Sequence, residues 1–504
     1  MKCSTHDLRT RRIVTVLVWA VSVIVLAQPS VQAQSSGWQQ PRRMSPLDQF
    51  GWFSDIAVDE TGRAHVVWGQ VGQGYEMAMY SSSSDGISWT PPIDALALPT
   101  TGAAPRPSVL ADGKGELQLI MRNDDGMRFQ RMRVDEVAQP SLRPEPQELA
   151  IDGAPYFSSM GLGPDGTVHI VITDNPVRPE CPTCFHVYYR SLAPDRRTWT
   201  AARDVSLGPE GAAKPRVVID KKNNIYVIWE TGMGGGLGRV NGDTSIRFIK
   251  SADRGETWSE PLTVSALRGD NARSAALGVD GNGAVVVVWV NTLDDRIYFT
   301  LSRDAGQTWS APARITDVTG NWDKYKNSLD SFDMVADADG ALHLAMVGRI
   351  GADSTALDIL HLTWSGQQWS APQAVASYRD DMPEWTRIKV GLGNQLHMTW
   401  SLRDAAHVFD TDNGRFTVWY ARGSVSARAL PPLALPSVTP PATVQPPSVL
   451  ATAEPASTVS ATKTNVSMED LKNEYGMLQI AALGALPVAL VFVVALLFRR
   501  RGNS

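Results

Sequence analysis

Seven times along this chain an apolar strand, a tight turn and a second apolar strand return in the same order, at intervals of about 55 residues, the kind of period that repeat arrays and propellers show. The copies are DIAVDETGRAHVVW (ending at Trp68), SVLADGKGELQLIM (Met121), SMGLGPDGTVHIVI (Ile172), RVVIDKKNNIYVIW (Trp229), ALGVDGNGAVVVVW (Trp289), DMVADADGALHLAM (Met346) and RIKVGLGNQLHMTW (Trp400). Asp, Asn and Gly accept the positive φ of a hairpin turn, and the β-branched, apolar flanks read as strands. A third strand follows each copy, as in RIYFTLS from Arg296 and FTVWYAR from Phe416. Trp-x-x-Pro opens a fourth at Trp258, Trp309 and Trp369, with weaker versions at Trp89 and Trp199. The second repeat has only VDEVAQPSLRPEP there.

The last repeat stops at its third strand, while a spare Trp-x-x-Pro stands at Trp38. The two ends therefore complete one unit, and a closed ring has no free sheet edge. The expected fold is all-β: a seven-bladed propeller of four-stranded antiparallel blades, with six blades as the alternative. A C-terminal transmembrane helix is expected to follow it.

The ends give the organisation. Arg9, Arg11 and Arg12 precede the apolar run 13–27, and Val31-Gln32-Ala33 suits a signal peptidase, so 1–33 reads as a signal peptide. Residues 34–428 form the propeller and 429–466 a Pro/Ala/Ser/Thr-rich stalk, too poor in hydrophobic periodicity to bury a core. Residues 467–476 are juxtamembrane, 477–498 an uncharged apolar span, and 499–504 a basic tail whose arginines place it in the cytoplasm. The expected location is the cell membrane, single-pass, with the propeller outside. A formal charge of -5 offers no basic excess for nucleic acid.

Cys3 leaves with the signal peptide, so the mature chain keeps Cys181 and Cys184 in CPTC, which reads as a small disulfide in an oxidising compartment. No metal or cofactor is expected: a lone C-x-x-C lacks two further zinc ligands, and GMGGGLG lacks the ending of a phosphate loop.

Two further segments, Ser251-x-Asp253-x-Gly255-x-Thr257-Trp258 and Ser302-x-Asp304-x-Gly306-x-Thr308-Trp309, resemble the Asp box, the repeat of bacterial neuraminidases and other sialidase-type propellers. The motif marks architecture rather than activity. Asp and Gly suit a turn, and Trp fills space beside the next blade. In an antiparallel four-stranded blade these turns share a face with the DG turns. The loops between second and third strands, and those between blades, form the opposite face, where binding residues concentrate.

On that loop-rich face lie Trp322, Tyr325, Tyr378 and Trp385, beside Lys324, Arg379, Asp380, Asp381 and Glu384, a mixture of aromatic planes and charged groups that suits sugar rings. Arg106, Arg216, Arg273 and Arg387 stand where innermost strands begin, and resemble the arginine cluster with which sialidases hold a carboxylate. Tyr156 resembles the setting of the sialidase nucleophile, and Asp380, Asp381 and Glu384 are candidate acids. The first repeat begins DQFGWFSDIAV, without the Arg-Ile-Pro of sialidases. The reading is recognition of an extracellular glycan or glycoprotein. A sialidase-like exo-glycosidase and a protein-interaction scaffold are the alternatives.

Overall fold

The computed structural model describes residues 37–425 except 103, 124–125, 150–152, 177, 180, 233–243, 268–270, 322–328, 352–353 and 408–413. All belong to the compact unit Met1–Val438. The signal peptide, juxtamembrane segment, membrane helix and basic tail read from the sequence, and the stalk 429–466, lie outside the described residues. Among the described residues no helix is long and apolar enough to cross a membrane, so the described fold is all-β without the expected C-terminal helix.

Strand pairing corrects the expected seven separate blades to six sheets, five of four strands and one of eight. The first sheet holds Trp52–Val58, Ala64–Gly72, Tyr75–Ser83 and Ile93–Pro99; the second holds Ser108–Ala111, Glu116–Asn123, Gly126–Arg133 and Gln147–Glu148. The third runs from Ser158–Leu162 to Arg203–Asp204, and the fourth from Ala212–Ile219 to Leu262–Thr263. The eight-stranded sheet begins with Ala272–Val279 and ends with Gln373–Tyr378. Two repeats fuse in it because Ala313–Thr319 runs long: Val318 and Thr319 pair with Ile350 and Arg349 of Leu342–Ile350. The last sheet comprises Asp381–Gly391, Gln395–Asp404 and Phe416–Ser424, and Arg42–Arg43 pairs with its outer strand through Arg42↔Tyr420. The first strands pack side by side in cyclic order, and Asp381–Gly391 returns onto Trp52–Val58, a propeller arrangement.

The Ser-x-Asp-x-Gly-x-Thr-Trp turns join the sheets. Ser302 Oγ donates to Asp304 Oδ1 at 2.7 Å and accepts the Gly306 N–H at 2.7 Å, and Asp304 Oδ1 accepts the Thr308 N–H at 2.8 Å. The Ser251 turn repeats this, and its Thr257 hydroxyl and backbone bonds hold Asp253 down at about 2. The tryptophan then meets an aromatic of the preceding repeat edge-on: Trp309 on Phe248 at 4.8 Å, Trp258 on Tyr189 at 4.9 Å, Trp199 on Phe129 at 5.0 Å and Trp89 on Tyr420 at 4.7 Å. Trp369 on Phe299 and Trp38 on the His361 ring complete the series. Each such pair adds about 0.5–1.5 kcal/mol beyond its buried area. In the second sheet the connection 134–146 substitutes: Val137 is in the core, and Arg143 donates to the carbonyls of Val137, Asp94 and Ala95.

Several second strands carry a histidine beneath this layer. His65, His169 and His397 place Nδ1 2.8 Å from the hydroxyls of Tyr80, Tyr189 and Tyr420. Burial pushes His169 and His397 down to about 4 and His361 to about 3. Because the unfolded chain binds protons on these rings from about 6.5 downward, they withdraw stability as pH falls from 6.5 towards 4. Asp59 and Asp204, held at about 2 against burial by His65 and His186, withdraw more below 3.8. Asp330 acts oppositely, because burial raises it to about 7 and its contribution fades as pH rises through that value. Burial lowers His343 as well, but it also raises Asp55, Glu116, Asp358 and Asp381, so the two sets offset each other between about pH 7 and 4. The urea midpoint is therefore expected to fall steeply only below about pH 4, as Asp59 and Asp204 take up protons.

Candidate ligand-binding face

Four innermost strands begin on the loop-rich face with the same irregularity. Register shifts separate Trp52 from Asp55, Ala213 from Arg216, Arg273 from Ala276 and Glu384 from Arg387. The second residue of each bulge has positive φ although none is glycine: Phe53 at 51°, Lys214 at 47°, Ser274 at 54° and Trp385 at 59°. Such residues cost about 1–3 kcal/mol each and persist where surrounding packing dictates them.

Here the packing is aromatic. Phe53 stacks on Trp52 at 4.1 Å and meets Trp385 at 5.0 Å; Phe157 stacks on Trp385 at 5.7 Å. Phe157 belongs to the third repeat and Trp385 to the last, which are not neighbours in cyclic order, so they meet across the axis. With Ala213 and Phe416 they form a buried cluster at the loop-face end of the ring.

Beneath it the charges are internal. Arg216 and Arg387 share one register position, just after the bulge, with Asp55. Arg216 donates to Ser331 Oγ at 2.6 Å and Phe332 O at 3.2 Å. Arg387 donates to Thr386 O at 2.6 Å and Ser331 O at 3.4 Å, stands 4.2 Å over the Trp385 ring, and lies 3.9 Å from Asp55. Burial, then repulsion by Arg216, lowers the Arg387 guanidinium below its usual value. Asp333 stays low despite burial because Lys389, Arg216 and Arg387 surround it.

Arg273 occupies the place of Glu384, three residues before the Arg216 position, and lies 3.9 Å from Glu230. Lys214 Nζ is 3.4 Å from Glu230 and donates to Asp330 O at 2.6 Å, and burial lowers it. Asp330 Oδ1 accepts the N–H groups of Trp385 and Ser331.

Arg106 belongs to a third group. Its Nη2 donates to Tyr156 Oη at 2.6 Å, and its guanidinium stands 3.9 Å over the Tyr156 ring, with Arg122 at 4.8 Å. Tyr156 is half-buried and touches Phe157 at 4.7 Å and Phe185 at 5.7 Å. Phe185 directly follows the disulfide Cys181–Cys184, which shapes the adjoining loop. The four arginines thus sort into three environments rather than one open cluster.

The remaining candidates separate similarly. Glu384 is fully buried, accepting Trp52 Nε1 at 2.5 Å and pairing with Arg403 at 2.7 Å. Asp381 is half-buried on the rim, 3.5 Å from Arg415 and opposite Asp404 in register, and burial raises it. Asp380 is exposed. Tyr378 Oη accepts Trp400 Nε1 at 2.9 Å, its own ionisation raised by burial, and Trp385 is in the central cluster. Trp322 and Tyr325 lie outside the described residues. Nothing among the described contacts joins Tyr156 to a carboxylate. Arg122, Lys214, Glu230, Asp330 and Arg403 were not among the sequence candidates. A charge directly after a repeat's closing Met or Trp, as at Arg122 and Glu230, is the signal that marks two of them.

No family model matches the chain, and no curated protein matches it. Among solved structures, an ulvan lyase of polysaccharide lyase family PL25, bound to -[GlcA(1-4)Rha3S]-, is similar with a TM-score of 0.50 at 10% identity, over 75% of this chain and 95% of that one. The NanB sialidase from Streptococcus pneumoniae is similar at 0.43 and 11%, over 78% and 71%. The intramolecular trans-sialidase from Ruminococcus gnavus is similar at 0.41 and 11%, over 75% and 94%. At these identities the likeness to the lyase concerns the fold alone.

Proposed function

We propose that this protein recognises a glycan on its loop-rich face, around Tyr156, and that the turns of the opposite face are Asp boxes serving as scaffold. The observation that carries this reading is the Tyr156 corner: a half-buried phenol with two guanidinium groups against its ring, at the start of an innermost strand. Arg106 donates to Oη, which leaves the phenol hydrogen to donate to a ligand oxygen. Cationic groups beside it favour hydroxyl-rich or acidic sugars. The ligand class is also the one that the names of the sialidase and lyase neighbours carry.

The test is a glycan array on the full chain, run beside hydrolysis of a fluorogenic sialoside. Tyr156→Phe is expected to weaken the best-bound glycan about tenfold, the worth of one hydrogen bond, and Tyr156→Ala more. Equal binding by Tyr156→Ala removes the proposal. Sialoside turnover that disappears in Tyr156→Phe would make the protein an enzyme instead.

A further inference from the structure

The opposite, turn-bearing side holds a feature that glycan recognition at Tyr156 does not use. Between the second and third sheets lies a groove of about 200 Å³. One wall is the end of the connection that replaces the missing Trp-x-x-Pro of the second repeat, Pro144 to Gln147, and the other is the turn carrying Arg196 and Arg197. Its volume lies below the roughly 300–1,000 Å³ of pockets that enclose a drug-sized ligand, so it fits a single small residue.

Its charges largely cancel. Arg196 is held by Asp112 at 3.2 Å, and Arg131 by Glu116 at 3.6 Å. That leaves exposed Arg197, whose guanidinium donates no hydrogen bond among the described residues and whose charge is attracted by the exposed Asp195 carboxylate of the same turn, and exposed Glu145. Gln147 accepts the Trp199 Nε1 hydrogen at 3.1 Å, so its amide nitrogen stays a donor. Phe129 and Pro144 supply apolar wall. The second sheet has also lost the buried His–Tyr pair of its neighbours: Gln118 and Phe129 stand there, and both amide atoms of Gln118 are without a hydrogen bond.

Balanced charge gives no net pull on an ion, while donors and an acceptor beside apolar walls match a sugar ring, with its apolar face and hydroxyl rim. We propose that this groove is a second binding site, taking one neutral hexose residue. It does not depend on the Tyr156 reading.

The experiment titrates the full-length protein, by ligand-observed NMR, with methyl glycosides of glucose, galactose and mannose, and with methyl glucuronide as the charged control. At least one neutral glycoside is expected to bind. Arg197→Ala and Gln147→Ala are each expected to weaken it at least about fivefold, Arg197→Ala at unchanged melting temperature and Gln147→Ala at no more than a small loss, because its bond to Trp199 is exposed. Tyr156→Ala is expected to leave that affinity unchanged. The proposal is overturned if no neutral glycoside binds, if binding survives both groove substitutions or is lost in Tyr156→Ala, or if the glucuronide binds more tightly than every neutral glycoside.

Discussion

Gly306→Ala is expected to destabilise the protein by roughly 3 kcal/mol or more, the combined scale of a strained backbone and an overpacked side chain. Gly306 has φ +83°, and a Cβ there would meet the Phe248 ring at 2.4 Å. Phe248 is 1% exposed and clamped by Trp309, so it has nowhere to withdraw. Gly283 is the control: its φ is +82°, but nothing lies within 4 Å of its Cβ. Gly283→Ala should therefore cost only about 1 kcal/mol, the backbone term. Urea unfolding of both variants measures the difference, and equal losses would show that the turn does not clamp the neighbouring sheet.

Loss of the Glu384 carboxylate should be as damaging, for an electrostatic reason. Glu384 and Arg403 have side chains 0% and 1% exposed, and taking the carboxylate away from a buried ion pair costs about 3–5 kcal/mol. Trp52 Nε1 loses its acceptor in the same substitution. Glu384→Ala is therefore expected to lower the urea midpoint sharply, whereas Asp381→Ala, at a rim exposed to water, should change it little. If Glu384→Ala were as stable as wild type and only impaired in ligand handling, the structural role of this pair would be wrong.

Much of the architecture was legible in the repeat. The aligned copies begin with Asp55, Ser108, Ser159, Arg216, Ala276, Asp333 and Arg387, and these residues occupy matching register positions opposite the second strands. Trp38 pointed to the strand Arg42–Arg43 that pairs with Phe416–Ser424. The fusion of two repeats was not legible, because it depends on how far Ala313–Thr319 continues, and two added ladder pairs leave no periodic trace.

The site was harder to read. Arg216, Arg273 and Arg387 all read as strand-entry residues, but Arg216 and Arg387 head their aligned copies after the bulge, whereas Arg273 stands three residues before Ala276, on the other side of it, where Glu384 stands in the last repeat. Trp385 looked like a sugar platform, yet its positive φ turns it into the central aromatic cluster. Tyr156 was found by resemblance, and its arginine partners only through the fold.

The most direct test of the account is hydrogen–deuterium exchange of the full chain with and without the glycan that binds best on the array. The account predicts protection at 154–158, 104–108 and 121–123, with 251–258 and 302–309 unchanged. Protection confined to the two Asp-box turns would contradict it.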